Sequence, residues 1–213
     1  MNRRASNKTA AELLGVQRTG TRGRDRLLDV AIDLFYTHGF NAVGLDQVLE
    51  AAGVTKTTFY KHFDSKEDLM EQAVRTRDQW EAQAWGRAIR ERGGDNPRSQ
   101  LLALFDVLDQ WFNAPDFRGC IFLNTAAEFP NPNDPIHKAA ASYKQQTRQG
   151  FAQLAQAAGA SDVETFADHF TLLVEGTLIM RQVHGRNDAA RVAKKMAAQL
   201  VEQFIPQPKK ATK

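Results

Sequence analysis

From Arg24 onward the apolar residues recur at three- and four-residue intervals, the period of an α-helix, and glycine or proline marks each interruption. The stretch RDRLLDVAIDLFYTHGF sets Leu27, Val30, Ala31, Leu34 and Phe35 on one face and closes at Gly39, a residue suited to the position just after a helix. LDQVLEAAGV predicts a short second helix closed by Gly53, and TKTTFYKHF a third with Thr55 as its N-cap. Ser65 opens a long fourth helix that can run to Arg92, with Ser65 and Asp68 spaced as a capping box. Asn96 and Pro97 open PRSQLLALFDVLDQWF, GCIFLNTAAEF is short and strongly apolar, and Pro135 opens another long helix. Ser161 with Glu164 predicts a second capping box ahead of DVETFADHFTLLVEGTLIMRQVH, and DAARVAKKMAAQLVEQF is the last helix. The pattern therefore predicts an all-α chain of about nine helices, without strand signals and without a solenoid-type repeat. Residues 1–22 are polar, basic and broken by glycines, which predicts a flexible basic arm, and 206–213 a flexible tail.

Composition changes this picture little. With 213 residues, 42% hydrophobic and 25% charged, the chain has ordinary globular composition and room for one large or two modest domains. No apolar run approaches the about 18 residues needed to span a bilayer. MNRRASNKTAAELLG has no apolar core of a secretory signal, and the single cysteine, Cys120, excludes an internal disulfide framework and a multi-thiolate metal site. The expectation is a reduced, cytoplasmic protein with no membrane partner.

Charge placement says more than the net +3. Residues 1–66 hold ten Lys/Arg against seven Asp/Glu, which leaves eighteen of each in the remainder. The whole excess sits in the N-terminal third, as suits a polyanion partner. There, two short helices joined around AAGVTK make a helix-turn-helix pattern, with Gly53 giving the turn its backbone freedom and Val54 turned toward the first helix. Helical periodicity in TKTTFYKHF directs Phe59 and Phe63 inward and Thr57, Tyr60 and Lys61 outward. Short hydroxyls suit base edges and phosphate oxygens, and lysines neutralise phosphates. A DNA-reading helix and a merely solvated helix with a capping threonine both fit that spacing.

The run LDQVLEAAGVTKTTFYKHFDSKEDLM resembles the DNA-binding signature of the TetR family of one-component transcriptional regulators, at Val48, Ala52, Gly53, Val54, Thr55, Thr58, Phe59, Tyr60, His62, Phe63, Lys66 and Leu69. LLDVAIDLFYTHGFNAV is similar to the family's first helix at Ala31, Leu34, Phe35, Gly39 and Phe40. The resemblance covers about residues 24 to 70 and departs from the family at two places. Gly44 stands where relatives often cap the second helix with Ser or Thr, and Thr57 where they often have glycine. It implies an N-terminal three-helix DNA-binding domain over residues 23–68 and a larger ligand-sensing and dimerisation domain over 69–205. It further implies that Thr58, Tyr60, His62 and Lys66 hold phosphates of double-stranded operator DNA while Lys56, Thr57 and Lys61 face bases.

A lone helix-turn-helix has few contacts, so a homodimer is expected. Ala189, Ala193, Ala197 and Ala198 permit close helix approach, with Val192, Met196, Leu200, Val201 and Phe204 adding apolar area; an internal core fits the same residues. In TetR relatives the last two helices form a four-helix dimer bundle. Between these regions lie many aromatic groups, and an aromatic stripe is more often core than pocket. The resemblance nevertheless implies a cavity for a small-molecule effector, with Trp111, Phe122, Asn124 and His169 as lining. The Gly-Cys start of FRGCIFLNTAAEF resembles a TetR branch with electrophile-sensing members, so a thiol-based sensing role for Cys120 stands beside its reading as a small buried hydrophobe.

An enzyme is disfavoured: there is no Gly-rich phosphate loop, no G-x-S-x-G elbow and no H-E-x-x-H metal spacing. No cofactor and no metal is expected. The function so predicted is a ligand-responsive, sequence-specific DNA-binding regulator, most simply a repressor released by a small molecule.

Overall fold

The computed structural model describes Thr9, Glu12 and residues 23–205, so most of the expected arm and all of the expected tail lie outside the described residues. Nine α-helices are found among them, and no strand. These are α1 (Gly23–His38), α2 (Leu45–Ala52), α3 (Lys56–Phe59), α4 (Lys66–Gly93), α5 (Pro97–Phe112), α6 (Ile121–Glu128), α7 (Pro135–Ala157), α8 (Val163–Gln182) and α9 (Ala189–Phe204). The chain divides into two compact units. Among the described residues, one holds 23–83 with 118–145, and the other holds 84–117 and 146–205.

In the first unit, α1 packs on α2 and α3. Leu27, Leu28, Ala31, Ile32 and Phe35 fill its inner face, while Val30 and Leu34 are only half-buried. Phe35 stacks on Phe40 with ring centroids 4.7 Å apart, and Phe59 on Phe63 at 5.5 Å. The turn between α2 and α3 passes through Gly53, whose φ of 62° is left-handed and favours glycine. Gly44 caps α2 without a side chain, and Gln47 compensates by accepting the Gly44 N–H at 2.7 Å. At the head of α4, Ser65 Oγ accepts the Asp68 N–H at 3.1 Å, but the Asp68 carboxylate reaches one residue further back than a capping box requires, to the N–H of Asp64. Asp134 Oδ1 accepts the Ile136 N–H at 2.7 Å and, with Pro135 behind it, starts α7.

In the second unit α9 packs on both α5 and α8. Phe105, Phe166 and Phe170 are buried at its centre. Asn96 caps α5 by accepting the Ser99 N–H, with Pro97 at the first helical position. A Cβ on Gly93 would meet Gln100 Cα at 2.7 Å, so glycine permits the close approach of backbone between α4 and α5. The cap of α8 is Asp162, which accepts the Thr165 N–H at 3.1 Å, and not Ser161. Ser161 gives its N–H to the Phe204 carbonyl, and Glu164 turns to Arg148, so the expected second capping box is not formed.

Candidate nucleic-acid interface and sensor region

Thr55 fixes the start of α3: its Oγ1 accepts the Thr58 N–H at 3.2 Å. Beyond Phe59 the α-helix gives way to tight turns, with His62 N–H bonded to the Phe59 carbonyl at 2.8 Å, so the helical part is shorter than the sequence pattern indicates. Phe59 and Phe63 are buried as their spacing requires, each contributing about 1.5–3 kcal/mol of burial. With both rings anchored, Lys56, Thr57, Tyr60, Lys61 and His62 are exposed, Tyr60 at 54%, and Thr58 and Lys66 are half-buried. The Tyr60 and Phe59 rings meet nearly at right angles, centroids 5.1 Å apart. His62 stands close to Gly23, where a Cβ would lie 3.2 Å from its Nε2. The exposed surface thus offers ammonium and hydroxyl donors above an aromatic anchor, the functional groups that contact phosphates and base edges.

The same unit holds α6 against α1 and the turn that follows it, at both ends of α6. Tyr36, on α1, accepts the Arg118 N–H at 2.9 Å and donates to the Gly119 carbonyl at 3.2 Å. Glu128, at the last turn of α6, accepts the N–H groups of Phe40 and Asn41 at 3.0 and 2.8 Å, in the turn leading from α1 to α2. A polar chain runs beside these contacts. Arg77 and Glu81 form a buried ion pair at 2.7 Å, four residues apart on α4. The Arg77 guanidinium lies over the Tyr36 ring, and Tyr143 of α7 donates its hydroxyl to Glu81 at 3.1 Å. Burial opposes the Arg77 charge, but Glu81, through Coulomb attraction and the hydrogen bond, outweighs it and raises the arginine's pKa. Each partner of this buried pair depends on the other.

Of the expected effector-lining residues, Cys120, Phe122 and Asn124 belong to this unit. Phe122 is buried and stacked on Tyr143, centroids 3.6 Å apart and planes 12° from parallel. Asn124 Nδ2 donates to the Arg118 carbonyl at 3.3 Å. Cys120, in no disulfide, is 5% exposed at the N-cap of α6. Trp111 and His169 belong to the other unit and have different neighbours there. Trp111 is buried among Trp85, Phe112 and Phe117, whereas His169 is exposed on α8 beside Phe204. Tyr36, Arg77, Glu81 and the Glu128 clasp carried no assigned role in the sequence; an i,i+4 Arg/Glu pair flanked by alanines and valine on α4 was the one visible signal.

On α8 and α9, Ala193, Ala197 and Val201 are buried against α5 and α8 of their own unit. The apolar residues left exposed are others: Leu172 (71%), Ile179, Met180, Val183 (69%), Val192 and Met196 (55%). No helix among the described residues is long and apolar enough to cross a membrane.

Residues 27–73 match the family described as bacterial regulatory proteins, tetR family, and residues 97–197 match the tetracyclin repressor-like C-terminal domain. The fold is similar to that of a TetR-family regulator from Streptomyces coelicolor, with a TM-score of 0.75 at 26% identity over 85% of this chain and 95% of that one. It is equally similar to a TetR-type regulator from Streptomyces avermitilis, with a TM-score of 0.74 at 27% identity over 86% and 98%. In sequence it is 28% identical to the transcriptional repressor ComR of Escherichia coli over 73% of this chain and 78% of that protein. It is 36% identical over 52 residues to IcaR, a negative regulator of a biofilm operon in Staphylococcus aureus, and this match spans 24% of the chain and 28% of IcaR's length. The chain belongs to the TetR family of transcriptional regulators and carries that family's helix-turn-helix domain. Membership places it among DNA-binding regulators and not among enzymes.

Proposed function

We propose that the protein is a homodimeric repressor that binds a near-palindromic operator through α3 and leaves it when a small molecule binds the C-terminal region. The observation that carries this reading is the exposed face Lys56, Thr57, Tyr60, Lys61 and His62 seated on buried Phe59 and Phe63. Lys66, Tyr60, Thr58 and His62 hold phosphates and fix register; Lys56, Thr57 and Lys61 meet base edges. The names of ComR and IcaR, a repressor and a negative regulator, support repression as the outcome of binding.

Two copies pair through the exposed apolar residues of α8 and α9, and reading two half-sites on one face of the duplex requires their α3 helices about 34–36 Å apart. An effector acts only through different affinities for the free and the operator-bound shapes. Its route to the reading unit runs through α6 and α7, because Phe122 stacks on Tyr143, Tyr143 reaches the Arg77–Glu81 pair, and Glu128 and Tyr36 tie α6 to α1. Reciprocity then requires operator DNA to weaken effector binding by the same factor, about 5–150-fold for ordinary couplings. Cys120 packs as a small hydrophobe in this reading, since a buried thiol is a poor nucleophile toward solvent-borne electrophiles. The experiment is retention of genomic fragments by the purified protein, followed by titration of the enriched duplex. Enrichment of no common sequence would overturn the proposal.

A further inference from the structure

In the unit made of residues 84–117 and 146–205, four aromatic rings and one guanidinium come together. Trp85 of α4 and Trp111 of α5 meet edge to face, centroids 5.5 Å apart, and Trp111 meets Phe117 at 5.0 Å. Phe112 closes on Phe117 at 5.5 Å. Arg181, from α8, lays its guanidinium over Phe117 at 4.4 Å and donates its Nε–H to the Phe112 carbonyl at 2.8 Å. Hydrogen-bond capacity is left over at three places. The indole Nε1 atoms of Trp85 and Trp111 are buried and find no acceptor among the described residues, and Trp111 is only 5% exposed. A T-shaped contact lets one indole edge meet the other ring's face, a weak partner at best, so at least one N–H stays unspent. Arg181 has no carboxylate partner among the described residues, and burial lowers its pKa with no anion to offset the effect. Buried polar groups in native proteins are paired with very few exceptions, so the two indole N–H groups lack an acceptor, and the half-buried Arg181 guanidinium beside them adds a positive charge.

We propose that this cluster is the effector subsite for an organic anion, a carboxylate on a flat apolar body, with Arg181 as counter-ion and the indole N–H groups of Trp85 and Trp111 as donors. In this proposal the aromatic rings hold the apolar body, and the guanidinium and indole N–H groups of the same edge-to-face cluster hold the acid, the division between apolar walls and few polar groups that small-molecule sites use. The sign of the site excludes amines, for which the guanidinium is repulsive. The proposal rests on the effector-responsive reading above and adds to it the chemistry of the ligand.

Calorimetric titration of the full-length protein with 2-naphthoate, 2-naphthamide and 2-naphthylmethylammonium tests the charge rule without DNA. The carboxylate is expected to bind about tenfold or more tighter than the amide, the scale of one hydrogen bond to a charged group, and the ammonium not at all. Arg181→Met removes the preference of carboxylate over amide while circular dichroism confirms the fold. In nitrogen-15 spectra the indole resonances of Trp85 and Trp111 shift on addition of 2-naphthoate, while that of Trp80 serves as the control. Binding of the ammonium as tight as that of the carboxylate, an unchanged preference in Arg181→Met, or no binding of 2-naphthoate would overturn the subsite. Tight carboxylate binding without loss of operator affinity supports the subsite and overturns only the release mechanism.

Discussion

The carboxylate of Glu128 accepts the N–H of Asn41 at 2.8 Å across 87 residues of sequence, and with its other oxygen the N–H of Phe40. These two amides belong to the turn between α1 and α2, where no helical carbonyl is available to them. A residue at the end of α6 therefore completes the hydrogen bonding of the DNA-binding unit.

Glu128→Ala removes both acceptors and leaves the amides to water or unpaired. The expected loss is about 1–3 kcal/mol in urea unfolding. Glu128→Asp, one methylene shorter, retains part of it. An unaltered unfolding midpoint in Glu128→Ala would show that the clasp is not a stabilising contact.

The Arg77–Glu81 pair makes a sharper demand. Both side chains are nearly inaccessible, 9% and 7% exposed, so Glu81→Gln leaves a guanidinium buried without its counter-charge. A cost of about 3–5 kcal/mol follows, against about 1 kcal/mol for Tyr143→Phe, which removes a single hydroxyl donor. Removing both charges in Arg77→Met/Glu81→Leu restores much of the loss; a double variant weaker than either single one would contradict a coupled pair.

At the reading face, Lys66→Ala and Tyr60→Phe are expected to weaken binding to all duplexes by similar factors, because phosphate contacts carry no sequence information. Thr57→Ala and Lys61→Ala alter which bases are preferred. Selection from a random pool with each variant separates the two groups, and identical enriched sequences from all four would remove Thr57 and Lys61 from base recognition.

Much of this was legible in sequence, and what was not has a physical cause. Periodicity, Gly53, the Thr55 and Asn96 caps and the burial of Phe59 and Phe63 depend on neighbours a few residues away, and helix positions can be read from such local rules. The cap of α8 is Asp162, and the Ser161 N–H that a Ser161–Glu164 capping box needs goes instead to the Phe204 carbonyl, 43 residues later. Ala193 and Ala197 suggested helices meeting across a dimer, yet they face α5 and α8 of their own unit; small size signals close approach and not the identity of the neighbour. Glu128 and Tyr36 act on backbone amides and carbonyls more than 80 residues distant, for which no spacing rule exists.

The exposed apolar residues give the pairing test. Leu172→Arg with Met196→Glu places charges on the proposed interface and should yield monomers in sedimentation at micromolar concentration while leaving each unit folded. Ala197→Glu, by contrast, is expected to disrupt the protomer itself, since that position is fully buried. A dimer undisturbed by the first pair of changes would move the interface elsewhere.

Fluorescence anisotropy of the enriched duplex with the purified protein, repeated from low to moderate salt, decides whether α3 reads operator DNA. Saturable binding by two copies per duplex is expected, with log K falling linearly against log salt at a slope of about −0.9 per phosphate neutralised, and a shallower slope for Lys66→Ala. Binding that is indifferent to salt, or equal for the enriched and a scrambled duplex, would contradict it.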